Sequence, residues 1–152
     1  MKPGDKIPDV KLAATGGKDI ALPGFKGKPL VVYFYPKDNT PGCTQEGQDF
    51  RDAYKDFGKA GVALVGISRD SIKSHENFVE KYQFPFPLLS DPDEVACKAF
   101  DVIKEKSLYG RKYMGVDRST FLFDKAGKLA REWRGVKVKG HAEEVLEAAK
   151  AL

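Results

Sequence analysis

The stretch YFYPKDNTPGCTQEGQDF, residues 33–50, decides the fold class because a strand, a loop and a helix start follow one another within it. The run LVVYFY at residues 30–35 is continuously apolar or aromatic, which is typical of a strand buried on both faces of a sheet. Thr40 is a good N-cap, and Pro41 then falls at the first helical position, where its missing N–H costs nothing. We therefore predict a helix that begins after Thr40 and holds Cys43 in its first turn.

Cys43 is a candidate reactive thiol. Reaction at sulfur requires the thiolate, and the ordinary cysteine pKa of about 8.5 leaves only a minor fraction ionised at neutral pH. The free N–H groups and the positive dipole end of a helix start stabilise an anion, and at this spacing the Thr40 hydroxyl could also donate to the thiolate. A lone cysteine is more often a small buried hydrophobe. The polar, Pro- and Gly-rich neighbours instead favour an accessible, reactive thiol at the carboxyl end of a strand.

The rest of the chain alternates between strand and helix patterns, which predicts an α/β fold with a mixed sheet flanked by helices. The two runs around Gly16-Gly17 predict an N-terminal hairpin, and residues 62–68 predict a second buried strand. We next predict a helix from Asp70 or Ser71 to about Tyr82 and a short strand at Leu88 and Leu89. Asp91-Pro92 then opens a helix that carries Val95, Ala99 and Phe100. The last predicted elements are a hairpin of residues 119–124 and 128–135 and a final helix from His141.

The composition predicts one soluble domain, residues 1–152. Hydrophobic residues make up 41% and charged residues 32%, and no apolar run approaches the roughly 18 residues of a membrane span. The N-terminus has no apolar signal region, so we expect a cytoplasmic protein. The net charge of +4 is spread along the chain, and the basic residues at 104–112 and 134–139 lack a nucleic-acid-binding motif, so no nucleic-acid partner is expected.

The second cysteine and the two histidines are predicted to have no role in chemistry. Cys97 lies within an amphipathic helical pattern, which favours a packing role. His75 and His141 are isolated and lack metal-ligand spacing. We therefore predict that His75 lies on a helix surface, that His141 lies at a helix start, and that no metal is bound.

The pattern Pro36-x-x-x-Thr40-x-x-Cys43 resembles the active site of the peroxiredoxins. The longer segment YFYPKDNTPGCT is similar to the branch formed by bacterioferritin comigratory protein, also called peroxiredoxin Q. The likeness continues through GISRDS, PFPLLSDPDE, Tyr109-Gly110-Arg111 and DRSTFLFDKAGK, so it covers nearly the whole chain.

This resemblance implies a thioredoxin-like fold and a peroxidase that needs no metal or organic cofactor. Cys43 would attack the O–O bond of hydrogen peroxide or an alkyl hydroperoxide and become a sulfenic acid. Thr40 would hydrogen-bond the thiolate and the peroxide, and Pro36 would shield the sulfenic acid from water. The family's arginine falls on Arg118, whose charge would stabilise the thiolate and the leaving oxygen. Glu46 would orient that arginine, although alone it would repel the thiolate.

The sequence departs from the branch at the resolving cysteine. Many members carry it five positions after the reactive one, where this chain has Gln48, and others carry it in a segment like KSHENFVEKY, at the position of Val79. We therefore expect a one-cysteine mechanism recycled by thioredoxin, glutaredoxin or glutathione.

Several alternatives stay open. A Cys43–Cys97 disulfide requires Cα atoms within about 7 Å, and therefore local unfolding of a helix that buries Cys97. A redox sensor that is oxidised once without turnover is the non-catalytic alternative. A thiol-disulfide oxidoreductase is disfavoured because the chain has no C-x-x-C. We expect a monomer, with a homodimer as the alternative.

Overall fold

The computed structural model describes residues 1–152 as nine strands and four α-helices. The strands are β1 Lys11–Ala14, β2 Lys18–Ala21, β3 Leu30–Phe34, β4 Ala63–Ser68, β5 Leu88–Ser90, β6 Ile103–Leu108, β7 Arg111–Val116, β8 Ser119–Phe123 and β9 Leu129–Trp133. The helices are α1 Pro41–Lys59, α2 Ile72–Tyr82, α3 Val95–Ala99 and α4 His141–Lys150. No helix has the length and hydrophobicity needed to cross a lipid bilayer.

Seven strands form one mixed sheet in the order β2-β1-β5-β4-β3-β8-β9. The central strands β3, β4 and β5 are parallel, and the remaining pairings are antiparallel. The predicted mixed sheet flanked by helices is therefore confirmed, as are the N-terminal hairpin and the late hairpin of β8 and β9. The turn between β1 and β2 uses Gly16 and Gly17 at φ 90° and 71°, a region that glycine enters without steric cost.

The run at residues 30–35 is apolar or aromatic throughout because β3 is an interior strand of the sheet and contributes side chains to two cores. All five residues of β3 are buried. Val31 and Tyr33 point into the core shared with α1, α2 and α4. Val32 and Phe34 point into the core shared with α3. Because successive side chains of a strand point to opposite faces, α1 and α3 lie on opposite sides of the sheet.

The helix predicted to open at Asp91-Pro92 begins later and is shorter. Glu94 has φ 61°, a left-handed conformation that ends the right-handed helix on its N-terminal side, so α3 starts at Val95. Of the apolar residues predicted in this helix, Val95 is 53% exposed and Ala99 is also exposed, whereas Ala96 and Cys97 are buried.

A second sheet, formed by β6 and β7 alone, was not predicted. The two strands pair antiparallel around a tight turn in which Tyr109 and Gly110 have φ 51° and 77°. Only Gly115 and Val116 of this hairpin are buried. Both faces are largely solvated, so the alternation of polar and apolar residues that marks a half-buried strand is missing.

Candidate active site

The start of α1 has the backbone geometry that the sequence predicts. After β3, residues 36–40 form a loop in which Asn39 adopts φ 61°. Thr40 is the N-cap, with extended backbone angles of φ −86° and ψ 153°, and Pro41 is the first helical residue. The Thr44 N–H donates to the Thr40 carbonyl over 2.8 Å. Cys43 is therefore the third residue of α1, at the helix end whose free N–H groups stabilise an anion.

The Thr40 side chain does not make the hydrogen bond expected from spacing. Its hydroxyl donates to the Lys37 carbonyl over 2.8 Å and makes no side-chain cap. The hydroxyl has one hydrogen, which closes the loop turn and is not directed at the Cys43 sulfur. Pro36 is half-buried in the same loop.

A side chain that is distant in sequence meets two side chains of α1 at the helix start. The Arg118 Nη2 donates to the Cys43 Sγ over 3.4 Å, and the Arg118 Nη1 donates to the Glu46 Oε1 over 2.6 Å. The register of the sheet brings them together, because Phe34 at the end of β3 pairs with Ser119 at the start of β8. Arg118, one residue before Ser119, thus lies beside the end of β3 and contacts the first turn of α1.

The arginine bridges two groups that are both able to carry negative charge. Burial raises the pKa of Glu46 to about 7, although the adjacent Arg118 opposes this rise. The second carboxyl oxygen, Oε2, is buried without a hydrogen-bond partner. Burial alone would lower the pKa of Arg118, but Glu46 and Cys43 outweigh it and raise that pKa, so the guanidinium stays charged.

The thiol is less open than its loop setting suggests. Cys43 is only 2% exposed, and its neighbours include Gly42 and the Arg118 guanidinium. A Cβ at Gly42 would lie 3.1 Å from the Arg118 Nη2, closer than an ordinary contact. Gly42 therefore leaves the space in which the guanidinium reaches the sulfur, a requirement that the sequence alone did not reveal.

Comparison with known proteins places this site in a family. The family model described as AhpC/TSA matches residues 3–132. The peroxiredoxin Bcp of Xanthomonas campestris is 54% identical over 143 residues, which cover 94% of this chain and 89% of that protein. The peroxiredoxin Bcp of Bacillus subtilis is 48% identical over 149 residues, covering 98% and 95% of the two chains. The chain belongs to the peroxiredoxins.

A solved structure agrees with the fold as well as with the sequence. The bacterioferritin comigratory protein of Xanthomonas campestris, a protein with alkyl peroxide reduction activity, superimposes with a TM-score of 0.92 at 50% identity. The match covers 99% of this chain and 98% of that one. The thioredoxin-like fold and the peroxiredoxin enzyme class predicted from the sequence are both confirmed.

In this peroxiredoxin the second cysteine lies away from the site. Cys97 is fully buried in the core on the α3 face of the sheet, whereas Cys43 belongs to the core on the α1 face. The Cys97 N–H donates to the Asp91 Oδ2 over 2.8 Å. Burial, together with the adjacent Asp91 carboxylate, raises the pKa of Cys97 far above its usual value. The predicted packing position of Cys97 is confirmed.

The prediction for His75 is wrong, because this histidine is 0% exposed on the inner face of α2. It contacts Asp38, and both residues were missed as members of a buried polar cluster. Asp38, Asp70 and His75 bring possible metal-ligand atoms within 4.8 Å of one another, although these side chains already hydrogen-bond within the chain. His141 does begin α4, as predicted, and burial lowers its pKa to about 4.

Proposed function

We propose that this peroxiredoxin reduces hydrogen peroxide and alkyl hydroperoxides at Cys43 by a one-cysteine mechanism. The observation that carries the proposal is the 3.4 Å hydrogen bond from the charged Arg118 to the Cys43 sulfur at the start of α1. That contact supplies a cation and a donor where the reaction needs both. The alkyl peroxide reduction activity of the Xanthomonas campestris relative supports the substrate class.

The first step transfers one oxygen atom to sulfur. The Cys43 thiolate attacks the outer peroxide oxygen, a sulfur lone pair forms the S–O bond, and the O–O bond breaks. The leaving alkoxide or hydroxide takes up a proton and departs as an alcohol or water, leaving a sulfenic acid. Because sulfur itself supplies both electrons, the proposed step requires no metal or organic cofactor. The Arg118 guanidinium is placed to stabilise the charge that develops on the leaving oxygen.

The remaining predicted residues have supporting roles in this proposal. Glu46 holds the Nη1 of Arg118, so the Nη2 stays directed at the sulfur. Because the Thr40 hydroxyl hydrogen is bound to the Lys37 carbonyl, its oxygen is free to accept a hydrogen bond from the peroxide. Pro36 precedes this turn and would shield the sulfenic acid.

The sulfenic acid is then reduced from outside the chain. Gln48 and Val79 occupy the positions at which relatives of this branch carry resolving cysteines. The location of Cys97 on the other face of the sheet argues against a Cys43–Cys97 disulfide. An external thiol would attack the Cys43 sulfur with loss of water, and a second thiol would release Cys43. Thioredoxin, glutaredoxin and glutathione are the candidate reductants. We propose that the enzyme acts as a monomer in the cytoplasm.

Intact mass after one equivalent of peroxide, with and without a sulfenic-acid trap, tests this mechanism. We expect a gain of one oxygen that the trap captures at Cys43. A loss of two hydrogens within one chain would replace the proposal with a Cys43–Cys97 disulfide, and a doubled mass would indicate a disulfide between chains. Peroxide consumption with each reductant then separates turnover from single oxidation. A chain that is oxidised once and never recycled would be a sensor.

A further inference from the structure

A buried polar cluster lies beneath the loop between β3 and α1, and the proposed reaction does not use it. Its two central members are Asp38 in the loop and His75 in α2, which are 5% and 0% exposed. Burying an ionisable pair is costly unless each group is neutralised and hydrogen-bonded. The hydrogen bonds of these two side chains therefore define their charge states.

Both ring nitrogens of His75 face hydrogen-bond acceptors. The Nε2 lies 2.9 Å from the Leu89 carbonyl oxygen, which can only accept, so this nitrogen carries a hydrogen. The Nδ1 lies 2.7 Å from the Asp38 Oδ2. If the Asp38 carboxyl is ionised, the Nδ1 also carries a hydrogen and the ring is an imidazolium.

The surroundings of Asp38 favour the ionised carboxylate. Its Oδ1 accepts from the Tyr35 hydroxyl over 2.6 Å, and its Oδ2 accepts from the Ser74 hydroxyl over 2.7 Å. Burial alone would raise the pKa of Asp38, but the hydrogen bonds from His75, Tyr35 and Ser74 outweigh it and lower that pKa. Asp38 and His75 therefore form a buried ion pair.

The other groups that face the pair add negative charge or none. Asp70, after β4, accepts from the Asp38 N–H over 3.0 Å and is a second carboxylate near the ring. Tyr35, the residue after β3, is the remaining titratable neighbour, and its hydroxyl lies 3.4 Å from the His75 Nδ1. The other packed elements contribute only the Ser74 hydroxyl from α2 and the Leu89 carbonyl from β5. No lysine or arginine forms an ion pair with Asp38, so the imidazolium is its only cationic partner.

This ion pair fixes the loop that precedes the reactive helix. Asp38 stands midway between Pro36 and Thr40, and both its backbone and its side chain are bound to other elements. We propose that His75 is a positioning residue for peroxide reduction. Its imidazolium holds Asp38 and thereby fixes the conformation of residues 36–40, which directly precede α1 and Cys43. The inference rests on the proposed function of Cys43.

The first test replaces the cation and measures the reaction of Cys43. His75→Gln should lower the second-order rate constant for oxidation by hydrogen peroxide by about ten- to a hundredfold, because small displacements of reacting groups are costly. His141→Gln is the matched control, since it removes another buried histidine and should change the rate less than about twofold.

The second test examines the pair without peroxide. Nitrogen-15 NMR of the wild-type protein at neutral pH should show both His75 nitrogens protonated. Hydrogen exchange at residues 38–44 should be faster in Asp38→Asn and in His75→Gln than in the wild type. Because the two residues act as one pair, the double variant should be no slower than the worse single variant.

Four results would overturn the inference: a neutral His75 ring, an unchanged rate in folded His75→Gln, an equal loss in His141→Gln, or additive losses in the double variant. If His75→Gln does not fold, the NMR measurement and Asp38→Asn still decide the question. A wild-type chain whose Cys43 is not oxidised by peroxide would refute the proposed function and the inference with it, while the NMR result would still report the ion pair.

Discussion

The two cysteines of this peroxiredoxin are equally hidden and differently surrounded. Cys43 is 2% exposed and Cys97 is 0% exposed, so burial does not distinguish them. Cys43 is in the first turn of a 19-residue helix with a guanidinium nitrogen 3.4 Å from its sulfur. Cys97 is within a five-residue helix, where burial and the Asp91 carboxylate raise its pKa. The difference indicates that the sign of the nearest charge distinguishes the thiol proposed to react from the thiol that packs in the core.

Exchanging each sulfur for oxygen is the strongest test of this contrast. Cys43→Ser should lower the rate of peroxide consumption by about a thousandfold or more, because it removes the nucleophile. Cys97→Ser should leave the first oxidation within about twofold of the wild-type rate, because that side chain only packs. Both are measured as peroxide consumption and as intact mass. A Cys43→Ser protein with full turnover would overturn the assignment of the reactive cysteine.

Removing the cation should produce the next largest effect. Arg118→Ala should slow Cys43 oxidation by about a hundredfold, the usual cost of losing one donor to a developing charge. Arg134→Ala is the control, since Arg134 is also partly buried but donates to the carbonyls of Phe100 and Asp101. Stopped-flow oxidation kinetics, with circular dichroism to verify the fold, provide the measurement. Equal slowing in both variants would show that the loss arises from general destabilisation.

The buried acid beside Arg118 should make stability depend on pH. The pKa of Glu46 rises from 4.5 to about 7 on folding, so the folded chain binds more protons than the unfolded chain in that interval. The stabilising contribution is complete below the unfolded pKa and is lost as pH rises through the folded pKa. At about 1.4 kcal/mol per pKa unit the loss is up to about 3 kcal/mol.

Glu46→Gln should remove this dependence. Urea unfolding at about pH 4 and about pH 8 should show wild-type stability falling relative to the variant as pH rises. The exposed Glu80→Gln should follow the wild type. A Glu46→Gln protein whose stability changes with pH in parallel with the wild type would show that Glu46 is not the titrating group.

The smallest predicted effect concerns the space beside the sulfur. Gly42→Ala places a Cβ 3.1 Å from the Arg118 Nη2, so the guanidinium must move by a few tenths of an ångström. We expect oxidation to slow by about fivefold with little change in stability. Gly58→Ala, in the same helix with open space around it, should keep the wild-type rate. Oxidation kinetics that do not differ between the two variants would remove Gly42 from the site.

The elements around Cys43 were predictable because their signals are local. The apolar run of β3 reflects its interior place in the sheet, and Thr40-Pro41 marks the first turn of α1. The hairpin of β6 and β7 was missed because it buries almost nothing and leaves no pattern. The partnership of Cys43 with Arg118 spans 75 positions and was supplied by the family resemblance, not by spacing.

His75 shows a signal that was present and misread. It precedes Phe78 by three positions, and both residues are buried on one face of α2. A polar residue on an apolar helix face needs a buried partner, and that partner, Asp38, lies 37 positions earlier. The prediction placed the histidine on the helix surface because it is polar, whereas its spacing from Phe78 indicates the buried face of the helix.

The sheet separates the two thiols, with Cys43 packed on one face and Cys97 on the other. If oxidation stops at the sulfenic acid of Cys43, each chain consumes one molecule of peroxide before a reductant must act. The amount of peroxide removed before any reduction is then equal to the number of chains present. Beyond that amount, the rate at which a reductant reaches each molecule sets how fast peroxide disappears.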